Sequence, residues 1–284
     1  MKLCRFERIP GHVGFGVLTE DTVLDLGACG IERLSQLLED SEMTATLRGI
    51  LERRLPSLSL NEVRLLPPID RQEVWAAGVT YLRSKQARME ESEFSANAYD
   101  KVYEAPRPEL FFKAMPDKVV GPRDPIGIRR DAKWNVPEPE LVLVVNSRGE
   151  IVGYTIGNDM SSRDIEGENL LYLPQAKIYD RSCSVGPCIT VGMSEAEART
   201  WTIELCIERD GSAVFQGSVG VGQIKRSFDE LVRYLGRSQI FPHGAFLFTG
   251  TGIVPPEDFS LLAGDLVRIA ISGIGVIENP VVIV

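Results

Sequence analysis

The sequence is poor in histidine and cysteine. Only two of its 284 residues are histidines, His12 and His243, and its five cysteines are scattered without a C-x-x-C pair. This pattern predicts neither a disulfide framework nor a zinc site. No run approaches the ~20 apolar residues of a membrane-spanning helix, and the first residues lack the apolar stretch of a signal peptide. We therefore expect a soluble, cytoplasmic protein with reduced thiols.

The overall charge is acidic, with 40 Asp and Glu against 31 Lys and Arg and a formal net charge of −9. Nucleic acid and anionic membranes would be repelled by such a surface, so neither is expected as a partner. The hydrophobic fraction of 44% is ordinary for a globular protein, and the chain is long enough to bury a full core.

Apolar patterning predicts an α+β fold, mainly β, in two domains. Residues 1–66 are expected to form a small N-terminal α+β domain, with a hairpin over residues 14–26 followed by two short helices. The double proline at residues 67–68 favours a boundary there. Residues 67–284 then contain many short apolar runs separated by glycine and proline, which predicts a second, β-rich domain. A charged, helix-prone stretch at residues 81–97 is compatible with a mobile segment or a lid.

Two glutamates precede a wholly apolar run, and an aspartate ends the next one. If the first run is a strand, Glu138 and Glu140 point to the same face, and the run itself is typical of a strand covered on both sides. A turn with Arg148-Gly149 as a two-residue loop would pair residues whose numbers sum to 297. Glu138 would then lie opposite Asp159, with about 5 Å between the Cβ atoms.

Three carboxylates placed in this way would repel one another, and a cation would remove the conflict. Ligation by oxygen alone favours Mg²⁺, with Mn²⁺ or Ca²⁺ as alternatives, over zinc. A second interpretation stays open at this point: the glutamates could be solvent-facing acids at a strand entry, with Asp159 an incidental loop residue. A one-residue bulge would also change the register.

Six ordered motifs resemble those of the fumarylacetoacetate hydrolase superfamily, from about residue 65 to the C-terminus. The segment at residues 157–164 is similar to the family's Asn-Asp-x-Ser-x-Arg-Asp motif, and residues 138–141 are similar to its Glu-x-Glu-Leu metal motif. Within the superfamily the chain most resembles the 2-keto-3-deoxy-D-arabinonate dehydratase branch. The other four motifs lie at residues 108–113, 176–187, 249–252 and 264–275.

The resemblance implies a C-terminal mixed β-roll of the fumarylacetoacetate hydrolase type as the catalytic domain, after the small N-terminal domain. It also implies Mg²⁺ bound by Glu138, Glu140 and Asp159, an active-site lysine at Lys177, and a homodimer or homotetramer.

One departure from the family bears on the chemistry. Hydrolases of the superfamily carry a His and a Glu that activate water, and the corresponding positions here are Ser84 and Ala87. Ordinary hydrolysis is therefore not expected. The resemblance instead implies a carbon–oxygen lyase that dehydrates a 2-keto-3-deoxy sugar acid through a metal-stabilised enolate and gives a 2-oxo acid semialdehyde.

Several residues receive roles in this hypothesis. Lys177 is the candidate base or enolate partner, and Glu109 is the candidate acid for the departing C4 hydroxyl. The alternatives are a hydrolase or decarboxylase of a β-keto acid of the acylpyruvate, oxaloacetate or fumarylacetoacetate type, and an inactive relative that only binds a metal or a keto acid. The candidate substrate-binding residues are Lys113, Thr251, Gly250, Tyr81, Arg83 and Ser84.

Overall fold

The computed structural model describes residues 1–83 and 101–284, and strands dominate this part of the chain. The strands are β1 Lys2–Ile9, β2 His12–Leu18, β3 Thr22–Asp25, β4 Ser57–Ser59, β5 Arg64–Leu66, β6 Glu73–Gly78, β7 Glu109–Ala114, β8 Ile126–Ile128, β9 Asn135–Val136, β10 Pro139–Val145, β11 Ile151–Asp159, β12 Ser161–Ser162, β13 Cys183–Thr190, β14 Thr202–Arg209, β15 Ser212–Gly220, β16 Ala245–Phe248, β17 Leu266–Ile271 and β18 Gly275–Ile283. The α-helices with described bounds are α1 Leu34–Leu38, α2 Met43–Leu51, α3 Arg163–Glu168, α4 Leu173–Lys177, α5 Glu195–Ala198 and α6 Phe228–Leu235.

An eleven-stranded mixed sheet contains the N-terminal strands β1–β5 together with later strands as far along the chain as β16. Its order is β4-β3-β2-β1-β13-β11-β10-β16-β6-β7, and β5 pairs with β1 beside this path. The N-terminal strands join the rest where β1 pairs with β13, with Leu3 opposite Ile189. Neighbours are antiparallel except β16 and β6, which run parallel. The division into residues 1–66 and 67–284 stays a prediction.

A second sheet of five strands, in the order β15-β14-β17-β18-β8, packs over the middle of the large one. Because successive side chains of a strand point to opposite faces, β10 contributes to two separate apolar clusters. Leu141 and Leu143 pack with residues of the second sheet, whereas Val142 and Val144 pack with the cluster that includes helices α1 and α2. The predicted burial of this strand on both faces is thus observed.

The predicted mainly β, α+β fold is confirmed, and so are several of its elements. The hairpin at residues 14–26 is formed by β2 and β3, with Val17 opposite Leu24. Helix α2 buries Met43, Leu47 and Ile50, whose spacing places them on one face. Most of the stretch at residues 81–97 lies outside the described residues. Among the described helices, none is both long and apolar enough to cross a membrane.

Candidate metal centre and active site

The hairpin of β10 and β11 determines where the predicted ligands lie. From Pro139 to Val144 its paired residues follow the predicted register, with Glu140 opposite Gly157. At the end of the hairpin opposite the turn, the backbone N–H of Asp159 donates to the carbonyl of Glu138 at 3.0 Å. Asp159 therefore lies across from Glu138, as the sequence predicted.

The predicted two-residue turn, by contrast, is wrong. The backbone N–H of Asn146 donates to the carbonyl of Glu150, so the loop contains three residues and ends on Gly149, whose φ is 78°. This longer loop would shift the register by one. A bulge at Val152, between the pairs Val144–Gly153 and Val145–Ile151, shifts it back. The two irregularities cancel, and for that reason the register at the carboxylates agrees with the prediction.

The three predicted ligands converge in the interior. One carboxylate oxygen from each of Glu138, Glu140 and Asp159 lies within 4.8 Å of the other two. Their side chains belong to residues that are 4%, 1% and 1% exposed. The interpretation of the glutamates as solvent-facing acids is therefore wrong.

Three buried cations accompany these carboxylates. Lys177 Nζ lies 2.7 Å from Glu138 Oε2 and 3.1 Å from Asp159 Oδ2. Arg163 Nη2 donates to Glu138 Oε1 at 2.9 Å, and Lys113 Nζ lies 2.5 Å from Asp159 Oδ1. Arg163 opens α3 directly after β12, and Lys177 closes α4, so a short helical segment carries two of the three cations.

Glu140 interacts differently from the other two carboxylates. Its Oε2 accepts a hydrogen bond from the backbone N–H of Gly250 at 2.6 Å. Burial raises the pKa of Glu140 well above its ordinary value, and the neighbouring carboxylates of Asp159 and Glu138 raise it further. Gly250 has a φ of 89°, and a Cβ there would collide with Thr80 Oγ1, so this backbone donor needs a glycine.

The donor set fits a hard divalent cation. All three candidate ligands are carboxylates, and around the same cavity lie two further acids, Glu109 and Glu166. Five carboxylates thus line this cavity among the described residues. Mg²⁺, which prefers oxygen ligands, fits such a donor set.

Glu109 lies at the edge of the same cavity through a close strand contact. It opens β7 opposite Gly78, the last residue of β6. A Cβ built on Gly78 would collide with Glu109 Oε2, so the carboxyl group lies directly over the glycine. The Glu109 carboxyl group can therefore occupy this position only because residue 78 has no side chain.

The other candidate residues are distributed unevenly. Thr251 lines the cavity, whereas Tyr81 is buried and Arg83 is exposed. Ser84, together with Ala87, lies outside the described residues. Lys113 is fully buried beneath Asp159 and also donates to the carbonyls of Met160 and Lys177, at 3.1 and 2.5 Å. Lys113 thus contacts Asp159 and two backbone carbonyls, and this position favours a role in supporting Asp159.

The sequence reasoning missed Glu166. This residue is only 3% exposed, lines the cavity and accepts a hydrogen bond from Ser161 Oγ at 2.6 Å. It lies one helical turn after Arg163 on α3, and that spacing could have identified it. Neither His12 nor His243 is among the described residues that line the cavity.

Comparisons with known proteins agree with this geometry. The family model described as "Fumarylacetoacetate (FAA) hydrolase C-terminal" matches residues 73–282. A protein of Haloferax volcanii described as "Probable 2-keto-3-deoxyxylonate dehydratase" is 51% identical over 214 residues, covering 75% of this chain and 73% of the relative. The 2-dehydro-3-deoxy-D-arabinonate dehydratase of Saccharolobus solfataricus is 39% identical over 286 residues, covering 99% and 96%.

A solved structure is similar over the whole chain. It is a 2-keto-3-deoxy-D-arabinonate dehydratase complexed with magnesium and 2,5-dioxopentanoate, with a TM-score of 0.83 and 35% identity. The superposition covers 100% of this chain and 99% of the other. The resemblance that the sequence motifs indicated is confirmed, since the family match spans most of the chain and carries all three candidate ligands. The chain belongs to the fumarylacetoacetate hydrolase family.

Proposed function

We propose that this protein is a Mg²⁺-dependent dehydratase that acts on a 2-keto-3-deoxy sugar acid and releases a 2-oxo acid semialdehyde. The observation that carries the proposal is the buried triad of Glu138, Glu140 and Asp159 with Lys177 in contact with two of its members. Two dehydratases of such acids are 51% and 39% identical to this chain, which supports the same substrate class.

The metal would be held by the three carboxylates of the triad. When bound, a divalent cation supplies Lewis-acid polarisation of the substrate's 2-oxo group, which lowers the free energy of removing a proton from C3. Lys113 and Gly250 hold two of the ligands in place, since Lys113 contacts Asp159 and Gly250 donates to Glu140.

Lys177 is the group proposed to act at C3. It is 1% exposed and lies along the cavity, with its Nζ between Glu138 and Asp159. A substrate whose carboxylate and 2-oxo end faces the triad would place C3 beside this amine. In its neutral form Lys177 can accept the C3 proton, and as the ammonium it can stabilise the negative charge that develops at the 2-oxo oxygen.

Glu109 is proposed as the proton donor for the C4 hydroxyl. Its carboxyl group lines the cavity and is held over Gly78. A hydroxyl group leaves far more readily as water than as hydroxide, so a positioned acid is needed at C4.

The remaining candidates divide by position. Thr251 lines the cavity and is proposed to bind the substrate carboxylate, whereas Gly250, which also lines it, already donates its backbone N–H to Glu140. Tyr81 is buried with its ring over Gly252, a position that favours shaping this wall rather than contacting a sugar hydroxyl. Substrate contacts by Arg83 and Ser84 stay predictions.

Purified protein with Mg²⁺ and a panel of 2-keto-3-deoxy acids tests the proposal. We expect release of a semialdehyde, detected by an aldehyde reagent and by mass spectrometry as loss of one water. Acylpyruvates and oxaloacetate form the second panel. Pyruvate release from that panel, without semialdehyde from the first, would support the hydrolase or decarboxylase alternative. Inactivity on both panels would support an inactive relative that only binds a metal or a keto acid.

We also propose that the enzyme works in the cytoplasm as a homodimer or homotetramer. All five cysteines are free thiols, which suits a reducing compartment. The oligomeric state follows from the family resemblance alone. Light scattering on the eluted peak of a size-exclusion column measures it directly, and a monomer would contradict the proposal.

A further inference from the structure

Glu166 lies at the active-site cavity, but the mechanism proposed for Lys177 and Glu109 gives it no role. It is a buried carboxylate on α3, and it lines the cavity that contains the three candidate ligands, Lys177 and Glu109. Ser161 Oγ donates to its Oε2 at 2.6 Å, which restricts the side chain. A buried acid held toward a reactive cavity is a candidate for contact with substrate.

Two adjoining cavities meet at this residue. The metal cavity has a volume of about 20 Å³, close to the minimum that holds one water molecule. A second cavity of about 400 Å³ lies beside it, with walls that include Val102, Leu170 and Leu173. Glu109 and Glu166 are the described residues that line both. Within the described part of the chain, the second cavity therefore offers the far end of a substrate whose 2-oxo end faces the metal a path past these two acids.

The reaction proposed above requires more proton transfers than an elimination provides. In a five-carbon 2-keto-3-deoxy acid, loss of a C3 proton and of the C4 hydroxyl gives 5-hydroxy-2-oxopent-3-enoate. Its isomer 2,5-dioxopentanoate is the molecule bound in the similar solved structure. The conversion of one into the other removes one proton from C5 and one from its hydroxyl group, and it adds one proton to C3 and one to C4. A base is thus needed at C5, three carbons beyond the 2-oxo group.

We propose that Glu166 is this base, an assignment that rests on the proposed dehydratase function. Glu166 takes the C5 proton, and the electron pair of that C–H bond forms the C4=C5 double bond. The C3=C4 pair moves to C2=C3, and the negative charge reaches the 2-oxo oxygen. Return of a proton to C3 then restores the ketone and leaves the enol of the C5 aldehyde. The enol hydroxyl loses its proton as C4 gains one, which completes 2,5-dioxopentanoate without any oxidant or reductant.

The matched pair Glu166→Gln and Glu168→Gln tests the assignment. Both glutamates lie on α3, but Glu168 is exposed, so only the first substitution removes a carboxylate from the cavity. With Glu166→Gln we expect substrate consumption to continue while aldehyde formation slows about 10²-fold, the lower range for loss of an acid–base group. The conjugated enone should accumulate and be visible by its ultraviolet absorbance and by mass. Glu168→Gln should behave as wild type.

Several results would overturn the proposal. Aldehyde formation by Glu166→Gln at the wild-type rate would exclude the role, and so would an equal loss in Glu168→Gln. If Glu166→Gln stops substrate consumption and forms no enone, the residue acts before the elimination instead. Absence of any dehydration by the wild type would refute the proposed function and this inference together, whereas dehydration with enone as the wild-type product would refute this inference alone.

A measurement on the wild type removes dependence on the variant's folding. Substrate carrying two deuterium atoms at C5 should slow aldehyde formation on the enzyme by a primary isotope effect and leave substrate consumption unchanged. Equal rates for labelled and unlabelled substrate, with no transient enone, would contradict a rate-determining proton transfer at C5 and count against Glu166.

Discussion

Both ends of the β10–β11 hairpin carry glutamates paired with cations, but the two ends differ in burial and in the pKa of their glutamates. At the inner end burial and neighbouring carboxylates raise the pKa of Glu140. At the turn, hydrogen bonds from Asn146 and Arg148 lower the pKa of Glu150. The pKa of the same residue type is therefore shifted in opposite directions in one hairpin, because burial raises it at the inner end and hydrogen bonds lower it at the exposed turn.

Distance alone does not distinguish these two environments. The Lys177–Glu138 pair at the inner end is 2.7 Å long, and its side chains are 2% and 5% exposed. The Arg148–Glu150 pair at the turn is 2.8 Å long, with side chains 42% and 58% exposed. Exposed pairs contribute little to stability, whereas removal of one partner from a buried pair leaves an uncompensated charge. The inner end should respond strongly to substitution and the turn hardly at all.

The largest effect is expected from Lys177→Met at the inner end. Turnover should fall by about 10²- to 10⁴-fold, because the group proposed to act at C3 is lost. Mg²⁺ affinity should be retained or increased, since a positive charge next to the ligands is removed. Steady-state kinetics and titration calorimetry measure the two quantities, and Lys118→Met, which replaces an exposed lysine, is the control. Full activity of Lys177→Met would refute the mechanism.

Glu140→Gln should mainly affect the metal. We expect Mg²⁺ affinity to fall at least about 10²-fold, more than is typical for loss of a group that only supports a ligand. Isothermal titration calorimetry provides the measurement. If the affinity of this variant is unchanged, Glu140 is not a ligand.

The same variant tests the pKa of Glu140 without metal. A carboxyl group whose pKa is raised in the folded state contributes stability below its ordinary pKa and loses it as the pH rises through the raised value. Glutamine has no such loss. The difference in Tm between metal-free Glu140→Gln and the wild type should therefore shift in favour of the variant as the pH rises above the ordinary pKa of a glutamate. A difference in Tm that is constant with pH would contradict the shift.

Gly78→Ala acts on the inner end from a neighbouring strand. Its Cβ would displace the Glu109 carboxyl, so we expect kcat to fall by about 10- to 100-fold, as small misplacements of reacting groups do, with Mg²⁺ affinity unchanged. Gly49→Ala is the control, because a Cβ at this exposed position of α2 meets no neighbour within 4 Å. The control should keep its activity and gain up to about 1 kcal/mol in the free energy of unfolding. Unchanged kcat in Gly78→Ala would show that the position of Glu109 is unimportant.

The smallest effect is expected at the turn. Arg148→Ala and Glu150→Gln should leave kcat, KM and Mg²⁺ affinity unchanged and alter Tm only marginally, because water replaces the lost contacts. Melting curves and kinetics on both variants provide the check. A loss of activity in either variant would mean that substitutions at the turn affect the catalytic end, so the two ends of the hairpin would not be independent.

Sequence reasoning predicted much of the inner end because it depended on local geometry. The parity of a strand places Glu138 and Glu140 on one face, the predicted register placed Asp159 opposite Glu138, and the family resemblance implied Lys177. The register was correct only because the loop and the bulge at Val152 compensate each other. Turn length and bulges depend on a few backbone torsions that residue patterns specify weakly.

Contacts between distant segments could not be predicted in this way. The position of Lys113 below Asp159 depends on how β7 packs beside the carbonyls of Met160 and Lys177. The parallel pairing of β16 with β6 joins residues about 170 positions apart and has no local signal. The spacing from Arg163 would have placed Glu166 on the same side of α3, but the packing that directs this side of α3 toward the cavity has no local signal.

The compensating bulge has a practical consequence for protein engineering. Residues 147–149 form an exposed loop that is one residue longer than the register of the inner strand pairs requires. The bulge at Val152 compensates for this extra residue before the chain reaches the carboxylates. The pairs from Val144–Gly153 to Pro139–Asn158 keep the register of a two-residue turn although the loop contains three residues. We therefore expect this turn to accept an affinity peptide or a fluorescent reporter while the catalytic centre keeps its geometry.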